Sequence, residues 1–430
     1  MVDKNVYSEI IDKKLFFCFV IWFVAMGGAL ADFNSHSLRL NGINATLLPL
    51  VLIYFIRITK FKFYKISPLL FAFGILFLWQ MLLIYKYGSY NILIGRTFDV
   101  LFSFIVIRGI GLRRFCFYFE TVVAKLCIVS LILWCLIELF PFIIQPLCGL
   151  SFPINETGTQ IAHWGIVGIS NSENMGLIRN LGFAWEPGRF SSIVCIALML
   201  HLFRQQFQLF KPNFWPLILG IFTSLSSTGY MTLIACIIGY YYNAQKNASS
   251  ALIKNILVIG FVLMVVSSPF LLDKMTEISD PDTFLTESAA DYYSKNDRGY
   301  VPQRAEGLYL DYLNIIDSPL FGYGDDVTYS YICRVVFPNL KISLSDGLLQ
   351  IIAMMGIPLG LLFYFSLWKS SVLFSRMYNI KGNFLLFMVI CLVNISYNFF
   401  YEPLFVCMVL YSLFIPDTDK AELLKANYYI

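Results

Sequence analysis

The stretch Arg179-Asn-Leu-Gly-Phe-Ala-Trp-Glu-Pro-Gly-Arg189 opens an apolar run that continues to Phe203. Two arginines, a glutamate, a proline and the small residues Gly182, Ala184 and Gly188 crowd the outer end of what reads as a membrane helix. Charge in that setting is costly unless it is paired or used. Pro187 suits the first helical turn, where its fixed φ fits and its missing N–H is no loss. Two readings of the arginines stand side by side. One is a loop that merely enters a helix, with Arg179 exposed; the other is a pair of planar guanidinium forks offered to phosphate oxygens at a membrane surface.

Working outward, 58% hydrophobic and only 13% charged residues over 430 positions depart from soluble domains, in which about a quarter of residues are charged. The chain reads as an all-α, polytopic membrane helix bundle, one integral membrane domain over residues 1–430. Apolar runs at 15–31, 43–58, 66–85, 90–107, 116–140, 181–203, 213–228, 229–243, 252–272, 347–368, 383–399 and 401–415 predict about 12 spans, although several fall short of the roughly 20 residues of a perpendicular crossing. Ser226-Ser-Thr-Gly229 is a tight turn between two of them. Lys13-Lys14 precede the first run, and no small-x-small cleavage site ends it, so it is read as an uncleaved span.

Basic residues orient these spans. Lys4, Lys13, Lys14, Arg57, Lys60, Lys62, Lys65, Arg108, Arg113, Arg114, Arg204, Lys211, Lys246, Lys254, Lys369, Arg376, Lys381, Lys420 and Lys425 share one side, whereas the short loops opposite carry only Arg39 and Lys86. By the positive-inside rule both termini are cytoplasmic. Two long segments, 141–180 and 273–346, are then external. The second holds Gly, Pro and aromatic residues that favour an ordered cap, with an amphipathic helix across Arg304–Ile316.

Chemistry of the soluble-enzyme kind is sparse. No phosphate-binding glycine loop, dinucleotide fingerprint or zinc spacing occurs, and Asp280-x-Asp282 reads as turn chemistry. No metal and no cofactor is expected, and no basic block with interleaved aromatics marks a nucleic-acid partner. His36, His163 and His201 lie far apart, His201 being placed as a helix-dipole partner. Arg96 and Asp99 share a helix face and pair; Glu120 and Lys125 read as pairing or snorkelling residues. Most cysteines, such as Cys18, Cys127 and Cys236, sit in apolar runs as small hydrophobes. Cys148 and Cys333 fall in external loops, and no essential disulfide is expected of them.

In succession, Arg179-x-x-Gly-x-x-x-Glu-Pro-Gly188, Leu225-Ser-Ser-Thr-Gly-Tyr230, Ser318-Pro-Leu-Phe-Gly-Tyr-Gly324, Asp346-Gly-Leu-Leu-Gln350 and Gly356-Ile-Pro-Leu-Gly360 resemble the O-antigen polymerase (Wzy-type) family. The match in order runs from about residue 175 to 365, each motif being degenerate alone. The resemblance implies a GT-C-like bundle with an external cap in the bacterial inner membrane. It implies a metal-independent glycosyltransferase that joins undecaprenyl-diphosphate-linked oligosaccharide repeat units, with membrane lipid and a chain-length regulator as candidate partners. O-antigen ligases of the wider group carry a His-Asn pair where this chain has Ser345-Asp346, which weakens that alternative. A secondary transporter or flippase of the same lipids is the other alternative; it would call for an internal repeat, which the sequence lacks.

The leaving diphosphate needs its developing charge stabilised, and the external arginines Arg179, Arg189, Arg298 and Arg304 are the residues for it, as bidentate partners. A carboxylate would orient or deprotonate the acceptor hydroxyl. Glu186, Asp311 and Asp346 are the candidates in that order, with solvated-loop duty for Asp311 and helix capping for Asp346 as the plainer readings.

Overall fold

Apolar runs of this length bury their backbone polar groups best as helices, and helix dominates the computed structural model. It describes residues 11–27, 38–88, 93–140, 142, 159–164, 167–172, 178–243, 304–324, 326–338, 347–395, 397–399 and 402–427. The expected span at 252–272 lies outside the described residues. Among the described residues, three helices are long and apolar enough to cross a membrane, Ser67–Tyr87, Arg96–Leu139 and Gln350–Met377, and four shorter apolar helices accompany them. The chain is a membrane protein built mainly of helix.

Its contacts divide it into two units. The first comprises Met1–Phe63, Ile105–Ser226 and Pro416–Ile430. It contains α1 (Lys13–Gly27), α2 (Leu38–Thr59) and most of α4 (Leu93–Leu139), whose label follows α3 (Ser67–Tyr87) of the second unit. Asp12 caps α1, its Oδ1 accepting from the Lys14 N–H at 2.9 Å. Aromatic edges fill the α1–α2–α4 core: Phe23 meets Phe119 at 4.7 Å and Trp22 meets Phe55 at 5.4 Å.

α4 is two helices joined at Gly111, whose φ of 72° and ψ of 170° no helix contains. The break falls among Arg108, Arg113 and Arg114, between the two spans expected there. The last helix of the chain, α12 (Asp417–Asn427), closes it: Asp419 Oδ2 accepts from the Leu112 N–H at 2.8 Å, and Arg113 pairs with Glu422.

The apolar run expected to start a span at residue 181 begins instead as a strand. β1 (Thr159–Trp164), β2 (Val167–Ser172) and β3 (Ile178–Gly182) form an antiparallel sheet in the order β1-β2-β3. Within an all-α expectation, this sheet is the addition. Helix resumes at α5 (Pro187–Arg204) and α6 (Phe214–Ser224). Nearly every side chain of α5 from Pro187 to Phe203 is buried, as expected of a helix that is apolar all round.

At the C-terminal end of α5, Glu120 of α4 collects its charge partners. Its Oε1 accepts from Asn213 Nδ2 at 2.9 Å and lies 2.8 Å from His201 Nδ1, while Oε2 accepts from Arg204 Nε at 2.7 Å. Glu120 and His201 are fully buried. The pairing read for Glu120 is thus observed, and His201 serves a carboxylate rather than only a helix dipole. Lys125 Nζ lies 5.0 Å from the centroid of the Phe16 ring, within the roughly 6 Å reach of a cation–π contact.

The second unit comprises Tyr64–Phe104 and Ser227–Ile415. It holds α3, the start of α4 with its Arg96–Asp99 ion pair at 3.6 Å, α7 (Ser227–Asn243), α8 (Arg304–Asp317), α9 (Gln350–Met377), α10 (Leu385–Asn394) and α11 (Pro403–Phe414). Serines join α9 to α11: Ser366 Oγ and Ser370 Oγ both donate to the Val409 carbonyl at 2.8 Å. Small hydroxyl residues let membrane helices approach closely and bond across the seam.

α9 breaks at Gly356, with φ of 77° and ψ of 163°. The Ser318–Gly324 loop fills the gap: Pro319 O accepts from the Ile357 N–H at 2.7 Å, and the Tyr323 and Gly324 N–H groups donate to the Ala353 and Met354 carbonyls at 3.0 Å. A side chain at Gly356 would put Cβ 2.3 Å from Leu320 O, and one at Gly322 would put it 2.1 Å from Met354 O. Two of the motifs quoted above therefore meet as one piece of backbone pairing.

Candidate functional site

The run from Arg179 to Arg189 folds as strand, turn and helix start in the first unit, and each residue type in it has a local cause. Asn180 is fully buried. Its Nδ2 donates to Ser130 Oγ at 3.1 Å and to Thr223 Oγ1 at 3.0 Å, and its Oδ1 accepts from the Gly182 N–H at 2.8 Å. One side chain thereby fastens β3 to α4 and α6. Trp134 Nε1 adds a hydrogen bond to the Ile178 carbonyl at 3.0 Å.

Gly182 turns the chain with φ of 55°, and a Cβ there would lie 2.0 Å from the Phe190 ring. Phe190 in turn meets Phe183 edge-on at 5.6 Å. Glu186 is the residue before the first helical turn, in extended conformation, and Pro187 opens the helix. The Glu186 side chain makes no capping hydrogen bond and is half-buried, next to the exposed Trp185. A carboxylate at this point is favoured by the positive end of the helix dipole.

Both arginines of the stretch reach backbone carbonyls. Arg179 donates from Nε to Ser224 O at 3.2 Å and from Nη2 to Leu225 O at 3.1 Å, so it caps the end of α6. Arg189 Nη2 donates to Met26 O at 2.6 Å, one residue before the end of α1. Terminal carbonyls of a helix have no partner within it, and a guanidinium supplies both hydrogen bonds and the favourable charge.

The structure places Glu186 and Arg189 at the start of α5 and Arg179 on β3, with its guanidinium at the end of α6. Arg304 is the first residue of α8 in the second unit, its side chain outside the described residues. Asp311 is on the same helix and fully buried, so a solvated-loop role is ruled out for it; Asn314 Nδ2 lies 3.3 Å from its Oδ1. Arg298 and Asp346 lie outside the described residues. Gly347, next to Asp346, is held by its N–H to the Asn394 carbonyl at 2.6 Å. Among the described residues, no group of three or more His, Cys, Asp or Glu side chains is placed to hold a metal ion.

Asn180 was missed in the sequence, although it sits between two residues that were singled out. Lys86 was passed over as well; its Nζ donates to Ser318 Oγ at 2.6 Å, where the Gly356 loop begins. Comparison of the chain with family models, curated proteins and solved structures finds no match.

Proposed function

We propose that this protein is a membrane glycosyltransferase of the O-antigen polymerase kind, joining undecaprenyl-diphosphate-linked repeat units at the periplasmic face of the bacterial inner membrane. The observation that carries the reading is the helix start at Glu186–Arg189, where a half-buried carboxylate without a capping bond and an arginine share the start of α5, with Arg179 on the strand just before it, in a chain with membrane-length helices. The reading includes about 12 spans, a GT-C-like arrangement, an external cap within 273–346 and cytoplasmic termini.

In this reading Arg179 and Arg189 bind the donor diphosphate. Glu186 takes the proton of the acceptor hydroxyl as its oxygen bonds the anomeric carbon. The bond from that carbon to the diphosphate breaks, and undecaprenyl diphosphate leaves with the electron pair, its charge met by the arginines.

The transporter reading would use a broken helix as its binding site, with freed backbone groups turned to the cargo. At Gly356 those groups are instead paired with the 318–324 loop, which supports the enzyme reading over that one. The test is lipopolysaccharide banding in a deletion strain carrying Glu186→Gln or Arg179→Ala at matched membrane abundance. A polymerase leaves one repeat unit and no ladder. Loss of every repeat points to a ligase or flippase, and full ladders from both variants overturn the proposed site.

A further inference from the structure

α8 has two faces of different character. Inward lie Leu310, Asp311 and Asn314, all buried, with Leu310 packed on Ile332. Outward lie Tyr309, Tyr312 and Ile316, each more than half exposed, and Leu320 follows at 61%. Spaced i, i+3 and i+7, the first three form one stripe along the helix. An exposed aromatic and aliphatic stripe of this kind marks a contact surface.

What the stripe contacts follows from where α8 ends. Ser318, directly after the helix, accepts from Lys86 Nζ at 2.6 Å; Gly322 O accepts from Tyr87 OH at 3.2 Å, and Phe321 O from Trp79 Nε1 at 3.0 Å. Two of those donors, Lys86 and Tyr87, end α3, one of the helices long enough to cross the bilayer, and Trp79 lies about two turns earlier. α3 exposes Leu78, Met81 and Tyr85 on the way to that end, as a lipid-facing helix does. The Ile316–Leu320 corner thus stands at the level where a span leaves the hydrocarbon. Tyrosine is enriched at that level, its ring in the apolar layer and its hydroxyl in the headgroups. The exposed cations Lys86 and Arg334 stand beside the stripe, Arg334 paired with Asp317, and cations there suit phospholipid phosphates.

We propose that α8 is an interfacial helix, seated on the bilayer through Tyr309, Tyr312, Ile316 and Leu320 at the headgroup boundary. This inference rests on the membrane character of the chain and not on the glycosyltransferase reading. A helix with side chains is about 10 Å across, so the buried Asp311 on its other face is held about that far from the headgroups.

The test uses the full chain in vesicles of phosphatidylethanolamine and phosphatidylglycerol, with p-benzoylphenylalanine placed singly at Tyr312, Ile316, Leu320 or the exposed Thr328, which lies off the stripe. After illumination, mass spectrometry should find lipid adducts at the three stripe positions at roughly fivefold or more the Thr328 yield. Equal yields, or adducts to protein in place of lipid, would overturn the proposal. Should any such variant fold poorly, single cysteines at the same positions replace it. Toward a water-soluble maleimide, and after subtracting the parent protein's reaction, the stripe cysteines should react roughly fivefold more slowly than Thr328→Cys; equal rates would equally overturn it.

Discussion

Asn180 shows how one buried amide can organise a membrane protein. Leaving a buried group unsatisfied costs about 1–3 kcal/mol, and Asn180→Ala removes three hydrogen bonds at once, leaving the Gly182 N–H without its acceptor while the Ser130 and Thr223 hydroxyls keep only the bonds they donate. It should lower the thermal midpoint in detergent far more than Thr223→Val, which removes one of these bonds; equal shifts would mean that the amide is not the anchor. Arg179→Lys keeps a cation but loses the fork across two carbonyls. It should destabilise by about 1.5–3 kcal/mol, the worth of a charged hydrogen bond, and unfolding in detergent at parent stability would count against the capping role. The sequence exposed Arg179 as a charge at a helix mouth, but not its partners. Those are backbone carbonyls 45 and 46 residues away, and a carbonyl acceptor leaves no trace in residue type.

Among elements, hydropathy located several of the described helices, because an apolar run must satisfy its own backbone in lipid, but the run at 181 begins as a strand. α3 and α11 fall within a few residues of the runs that announced them. The break in α4 was legible through the arginines around Gly111, whereas the break in α9 lay hidden inside a continuous apolar run. The sheet was hidden too, since β2 reads Val-Gly-Ile-Ser-Asn-Ser, with glycine and small polar residues in place of the alternation that marks a half-buried strand. The amphipathic helix expected across Arg304–Ile316 is α8. Gly322→Ala and Gly356→Ala both force a Cβ onto a carbonyl oxygen at a positive φ, and each should cut membrane abundance severely, whereas Gly74→Ala, which meets nothing within 4 Å, should not. Comparable abundance of all three would contradict the account of the loop that fills the α9 break.

At the scale of the whole molecule, charge and hydropathy identify the membrane class. The proposed reaction rests on a smaller base: a carboxylate and an arginine at one helix start, a second arginine on the strand before it, and an order of short motifs. Part of that order now has a structural cause, because Ser318–Gly324 and Gly356 pair with each other. Pairing of this kind would be kept in a bundle whatever it catalyses, so in the proposed reaction the chemistry falls to Glu186 and not to this loop. Reconstitution tests it most directly. The purified protein is placed in vesicles with undecaprenyl-diphosphate-linked repeat units, and the products are sized after release from the lipid. The account predicts chains of two or more repeats with release of undecaprenyl diphosphate, and none from Glu186→Gln. Repeat units moved across the bilayer with no new glycosidic bond, or polymer made equally well by Glu186→Gln, would contradict it.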